Sequence, residues 1–263
     1  MLIFPQLSSS ASVQYPIARR VSRRAVQSVM EDGTTISLAD ASASYTSWKL
    51  AFRDLSDREA SSLSSFFSAA GGCLTPFLFL DTTTNLLSWS SDLTQSAWQQ
   101  GTLAVESQFS DPLGGNSAFR ITNVADKALT ISQSTQIAGS LQTCFSVFLR
   151  ADAPVSVTIS RSAGTASCPQ QISVATQWAR YSARNNFPGI TDASTYSISI
   201  PSLGSVSMFG PQVEGQRIPS TYIPTTSECG VYPNACFDMD ELTITAIGPN
   251  RNACDIYIRT SGA

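Results

Sequence analysis

Hydrophobic and polar residues alternate along most of the chain with a period of two, the spacing of half-buried β-strands. The runs 26–30 and 34–38 are joined through Glu31-Asp32-Gly33, a hairpin signal. In 45–52, Trp48, Leu50 and Phe52 alternate with Ser47, Lys49 and Ala51. One segment breaks this period. Ala60, Leu63, Phe66, Phe67 and Ala70 recur three and four apart, with Ser61, Ser62, Ser64 and Ser65 opposite them, which predicts one amphipathic helix. Ser56 and Glu59 have capping-box spacing at its start, and Gly71-Gly72 ends it, because glycine enters the left-handed cap without strain. Phe77-Leu78-Phe79-Leu80 is a continuous apolar run closed by Asp81, a fully buried strand.

From Asn85 the pattern changes to short strand-type runs at regular spacing: 101–105, 118–122, 129–133, 143–149, 155–160, 171–174, 179–183, 195–200 and 205–209. Turn formers separate them, including Asp111-Pro112-Leu113-Gly114-Gly115, Ala163-Gly164 and Pro188-Gly189. Such a series predicts a two-sheet antiparallel sandwich or jelly roll. After it, 242–247 and 255–259 are again strand-like, with a turn at 248–252. A lone hairpin cannot bury enough surface to stand by itself, so it is expected to join the N-terminal sheet. The predicted fold is mainly β: a discontinuous β-rich scaffold domain with one α-helix, 1–84 plus 227–263, carrying an inserted antiparallel β-sandwich at 85–226. Insertion of this kind is tolerated when the guest's termini lie close together.

Charged residues make up 13% of the 263, against about 25% in ordinary domains, and Ser and Thr fill the surface role. That composition suits a protein packed against other subunits, and equally a sugar-facing β-protein. A net charge of −3 argues against nucleic acid as partner. Arg19, Arg20, Arg23 and Arg24 form a local exception, read either as assembly contacts to an acidic neighbour or a phosphate, or as a solvated, locally repulsive edge. The absence of histidine removes the usual general base, the usual zinc ligand and any Ser-His-Asp arrangement. Six cysteines without a CxxC pair indicate neither zinc nor a redox motif and read as small buried hydrophobes. No metal and no cofactor is implied. No run approaches the ~18 apolar residues of a membrane span. MLIFPQLSSS lacks a basic n-region and a long h-region, so the expectation is a soluble chain without signal peptide or membrane insertion.

A sugar site needs an aromatic face together with amide or carboxylate groups. Of the candidate aromatics, Trp98 and Trp178 read as core, and Tyr222 as packing where the last strand leaves the sandwich. Trp89 is left uncommitted, so it becomes the candidate sugar-binding aromatic, with Asn185 and Asn186 as amide partners. Glu106, Asp111, Asp126, Asp152, Asp192 and Glu214 lie mostly near turns and read as solvated loop charges. None shows the facing arrangement at roughly 5–10 Å that a glycosidase requires, so no catalytic residue is assigned.

Two sets of motifs resemble known families. W-K-L-A-F, a turn, L-S-D-R-E-A-S-S-L-S-S-F-F, a glycine break and P-F-L-F-L-D, in 15–84, resemble the N-terminal domain of phage distal-tail and minor tail proteins. N-L-L-S-W-S-S-D-L-T-Q-S-A-W, T-Q-W-A-R-Y-S and F-G-P-Q-V-E-G-Q-R-I-P-S-T-Y-I-P-T, in order across 85–226, resemble the carbohydrate-binding-module-like jelly roll of phage tail fibres and tail-tip proteins. The resemblances imply a non-enzymatic structural virion protein of the tail tip, assembled in the host bacterial cytoplasm. They imply a homo-oligomeric ring with a hexamer favoured, and tube, hub and fibre proteins as partners. The jelly roll would face a host-surface glycan or a neighbouring tail protein. The alternative is a carbohydrate-active protein, either a lectin-like module or a glycan hydrolase.

Overall fold

The computed structural model describes residues 1–261, with the backbone alone at 41–43 and 261. It divides into two compact units, Met1–Phe79 with Tyr232–Ala263, and Leu80–Val231. The seams thus lie five residues outside those expected from the sequence. The reason is local pairing: the Asp81 N–H donates to the Gly230 carbonyl at 2.8 Å, and the Gly230 N–H to the Asn85 carbonyl at 2.9 Å. The backbone flanking the sandwich is therefore knitted into it.

The discontinuous unit begins with β1 (Leu2–Ile3) and β2 (Ile17–Val29), followed by β3 (Thr35–Leu55), α1 (Asp57–Ala70) and β4 (Phe77–Leu80). The two strand runs expected at 34–38 and 45–52 are one strand, which pairs with β2 on either side of a register slip between Ser22 and Arg24. Ser56 caps α1 as its spacing predicts: its hydroxyl accepts from the Glu59 N–H, and the Glu59 carboxylate accepts from the Ser56 N–H at 2.9 Å. Gly71, at φ +62°, terminates the helix with its N–H on the Phe67 and Ser68 carbonyls. Leu63 and Ala70 are buried, and Phe66 and Phe67 pack edge-on against Phe237.

The second unit holds nine strands: β5 (Ala104–Phe109), β6 (Ala118–Thr122), β7 (Leu129–Ala138), β8 (Thr143–Arg150), β9 (Val155–Ala163), β10 (Ala166–Val174), β11 (Ala179–Asn185), β12 (Ala193–Ile200) and β13 (Ser205–Glu214). They form two antiparallel sheets, β10-β9-β12-β7 and β11-β8-β13-β6-β5. Alternate residues such as Val157 and Ile159 of β9, and Phe145, Val147 and Leu149 of β8, are buried in the interior. This is the β-sandwich that the strand series predicts.

The chain then completes the first unit with β14 (Val231–Phe237), β15 (Thr245–Gly248) and β16 (Arg251–Ser261). The sheet order is β1-β4-β14-β16-β3-β2, with β15 hydrogen-bonded to β16. Only one end of the β2–β3 hairpin rests on this core. Trp48, Leu50 and Phe52 of β3 are buried with Phe77, Phe79, Phe237, Ile256 and Ile258. Beyond Val21 the two strands continue as a solvent-exposed arm to the turn at Met30–Thr34.

Candidate functional site

A network of side-chain and backbone hydrogen bonds closes the two ends of the sandwich unit on each other. The Asn85 side-chain amide donates to the Pro211 carbonyl and accepts from the Leu87 and Val213 N–H groups. Gln133 brackets the Ser88 backbone, accepting its N–H and donating to its carbonyl, both at 2.9 Å. The Thr225 hydroxyl donates to the Leu87 carbonyl at 2.6 Å. Trp89 belongs to this closure. Its N–H donates to the Thr226 carbonyl, and its own carbonyl accepts from Nε1 of Trp98, which is buried. The motifs at 85–98 and 219–226 therefore encode a clasp, and Trp89 is one of its turn residues, at φ +50°.

Asn185 and Asn186 lie elsewhere. They line a depression of about 380 Å³ with Gln142, Arg184 and Arg217. Trp89 does not line it, so the three sugar-site candidates are not brought together. Beneath the depression lies Arg161, only 1% exposed. Its position follows from strand parity: it falls on the inward face of β9 with Val157, Ile159 and Ala163. Its guanidinium donates to the carbonyls of Leu141 (2.8 Å), Asn185 (2.7 Å), Ala138 (2.9 Å) and Gly139 (3.2 Å), and through Nε and Nη2 to the Ser194 hydroxyl. The rings of Phe187 and Tyr196 sit 5.5 and 5.6 Å from it, within cation–π range. Burial lowers the affinity of this guanidinium for its proton, while the nearby Tyr196 acts in the opposite sense. Arg161 thus ties 138–141, which lead into Gln142, to 185–187, which carry Asn185 and Asn186.

The outer face of the five-stranded sheet forms a second polar and aromatic surface. Directly opposed residues share a face, so Arg150, Ser207, Arg120 and Glu106 form one row, and Arg180, Phe148 and Phe209 the next. Trp178 lies here half-buried, with the Arg150 guanidinium 5.2 Å from its ring. The expectation that Trp178 is core is therefore corrected: Ala179 faces inward opposite Leu149, and the alternation turns its neighbour outward. The segment 215–226 folds back over part of this face. The Gln212 amide holds the Thr221 carbonyl and the Ile223 N–H, Arg180 donates to the Ser220 carbonyl, and Tyr222 stacks edge-on against Phe209 at 5.1 Å. This cover explains why Cys144, Ser146 and Gln212 are buried although they point away from the sandwich core. A smaller, more apolar depression of about 270 Å³ opens beside Tyr222, Phe209 and Leu113. The Ser90 hydroxyl on its wall is already bonded to Tyr222 and Thr225, as part of the clasp.

Two carboxylates read as solvated are instead buried. Asp111 accepts from the Leu113, Gly115 and Ser117 N–H groups. Burial pushes its pKa up, but these bonds more than offset that and hold it below the ordinary aspartate value. Glu214 is held by the Ser220 N–H and hydroxyl and by the Gln216 amide.

In the first unit, Arg19, Arg20, Arg23 and Arg24 are all exposed along β2. Arg19 donates to the Tyr232 hydroxyl at 3.1 Å, Arg24 lies 3.7 Å from the Asp40 carboxylate, and the register slips at Arg23. Past them, Val26 faces Leu38 and Ser28 faces Ile36 on one side of the arm. Val26, Val29, Met30, Ile36 and Leu38 are all exposed, Leu38 by 64% and Val29 by 72%. The sequence signal for this arm was present in the flanking hairpin runs, but its length was not. Among the described residues no group of three or more His, Cys, Asp or Glu side chains is placed to hold a metal ion, and no helix is long and apolar enough to cross a membrane.

No family model matches the chain. No curated protein matches it either. Among solved structures it is similar to the enzymatically active domain of tailspike protein 4 of bacteriophage CBA120, at 12% identity and a TM-score of 0.42, over 51% of this chain and 22% of that one. It is similar to the CBM22-1 xylan-binding domain of Paenibacillus barcinonensis Xyn10C, at 11% identity and a TM-score of 0.40, over 52% of this chain and 94% of that domain. The C-terminal family 22 carbohydrate-binding module of Clostridium thermocellum Xyn10B matches over 54% of this chain and 100% of its own length, at 12% identity and a TM-score of 0.42.

Proposed function

We propose that the protein is a non-enzymatic structural subunit of a bacteriophage tail tip, assembling with copies of itself into a ring, with a sandwich unit that contacts glycan. The observation that carries this reading is the β2–β3 arm. A two-stranded ribbon with no third strand or covering helix is marginal in water, and its outer edge presents unpaired backbone groups ready for another strand. The arm nevertheless concentrates Val26, Val29, Met30, Ile36 and Leu38 in the open. Burying such side chains against a neighbour contributes about 1.5–3 kcal/mol each before the cost of association. The exposed arginines at its base offer charge-assisted contacts to that neighbour.

A closed ring repeats one heterologous contact until it closes, and the resemblance at 15–84 favours a hexamer. Tube, hub and fibre proteins are the further partners, and the virion tail tip is the location. The reading as a non-enzyme is supported by the buried carboxylates Asp111 and Glu214, whose oxygens already serve backbone N–H groups. The lectin-like alternative draws on the depression at Asn185 and Asn186. There the ring would raise a weak single-site affinity through multivalency.

Light scattering of the full chain and of a Val26→Asp/Leu38→Asp variant tests the arm. The expected result is an oligomer for the parent and a monomer of unchanged melting temperature for the variant. A parent that stays monomeric at high concentration overturns the proposal.

A further inference from the structure

The depression at the end of β11 has a donor set that selects among saccharides. We infer that it binds an acidic sugar, one carrying a carboxylate or a phosphate, through Arg184 and Arg217. This deepens the glycan-contact reading above and rests on it. The lining of about 380 Å³ consists of Gln142, Arg184, Asn185, Asn186 and Arg217. It supplies two guanidinium groups and three amides, and no aromatic ring against which the apolar face of a neutral pyranose would stack. Guanidinium forks match the geometry of a carboxylate or phosphate, and amides serve hydroxyl groups, which both donate and accept. The volume lies at the small end of ligand sites, enough for a short saccharide.

The field under the site has the same sign. Arg161 is a buried cation whose bonds run to carbonyl and hydroxyl oxygens, and one of those carbonyls belongs to Asn185. Its charge lies one hydrogen bond from the backbone of a lining residue and has the sign that favours an anion. Two carboxylates on neighbouring elements, Glu214 and Asp192, stand off the lining. Glu214 lies opposite Cys144, which itself lies opposite Arg184, and it is bonded by Ser220 and Gln216. Asp192 lies against Gly164, where a Cβ would meet its carboxylate at 2.8 Å. Neither lines the depression. Arg161 also fixes the geometry, because it holds the backbone just before Gln142 and at Asn185.

Isothermal titration of the full-length protein tests this with trigalacturonate against galactotriose, and with glucose 6-phosphate against glucose and inorganic phosphate. At least one acidic sugar is expected to bind about tenfold or more tightly than its neutral partner, the effect of one charge-assisted bond pair. High salt is expected to weaken it, because both arginines are exposed to screening. Arg184→Ala/Arg217→Ala is expected to lose the preference while keeping the parent's melting temperature. Whichever acid binds identifies carboxylate or phosphate as the recognised group. Equal binding of neutral and acidic sugars overturns the inference and leaves glycan contact standing, whereas binding of no saccharide overturns both. Inorganic phosphate binding as tightly as glucose 6-phosphate also overturns it, since the sugar would then contribute nothing.

Discussion

Replacing Arg161 by methionine sets two large effects against each other. The side chain keeps a similar reach but loses its charge and all its donors. Removing a buried cation relieves a desolvation penalty of several kcal/mol. Against this, the guanidinium makes six hydrogen bonds. The Ala138 and Gly139 carbonyls also accept from the Leu141 and Phe187 N–H groups, so they keep a partner after the substitution. The loss falls mainly on the Leu141 and Asn185 carbonyls and the Ser194 hydroxyl. Each buried polar group left without its partner costs about 1–3 kcal/mol, and the two aromatic contacts add about 1–2 kcal/mol. We expect the bonds to win, with a net loss of about 3 kcal/mol. For a unit of 152 residues (231 − 80 + 1) that lowers the melting temperature by about 6–12 °C. Calorimetry reads the shift, and hydrogen exchange should show faster opening at 138–143 and 185–190 than elsewhere in the sandwich. An unchanged or raised melting temperature would refute the reasoning, because desolvation would then outweigh the bonds.

Glu59 offers a pH test. Burial raises its pKa, but bonds from the Ser8 and Ser56 hydroxyls and N–H groups outweigh this and lower it to about 2. Its folded pKa lies below its unfolded one, so its stabilisation is complete above the ordinary glutamate pKa of 4.5 and fades as pH falls towards about 2. Glu59→Gln should cost about 1–2 kcal/mol at neutral pH, after discounting for solvent, and almost nothing at the acid end; a pH-independent difference in urea midpoints would contradict it. Gly230→Ala places a Cβ 2.8 Å from the Asp81 carbonyl oxygen, Leu86 and Thr84, and should destabilise the sandwich by about 1–3 kcal/mol; an unaltered melting curve would show that the clasp yields. Burial pushes the Cys144 and Cys254 thiols up to about 11, and exposed Cys73 donates to Asp240, which raises its pKa too. Mass spectrometry after brief alkylation should therefore find exposed Cys168 modified first, and early modification of Cys144 would contradict its burial.

What could be read from the sequence was local. The Ser56–Glu59 cap, the Gly71 stop and the nine sandwich strands each depend on residues within a few positions, and each appears near its expected place. Strand β14 was hidden because Pro233 and Asn234 interrupt its apolar pattern. The arm's length was hidden because the small, mixed residues after Leu38 show no alternation. The role of Arg161 was in principle legible: a charge at an inward parity position in β9 marks a buried, bonded group. Ser-Arg-Ser within an alternating strand reads first as solvent-facing, however, and the carbonyls that satisfy it come from segments remote in sequence. Trp89 is the converse case: the sequence did not show that its backbone joins the closure, nor that it stands apart from the depression at Asn185 and Asn186.

The ring is tested most directly by native mass spectrometry of the purified full chain, paired with electron-microscopic class averages of the same sample. A single dominant closed oligomer with cyclic symmetry, six-fold by preference, is the result expected if the arm joins subunits. Monomers alone at every concentration, with the arm's amides exchanging as freely as an unfolded segment, would contradict it.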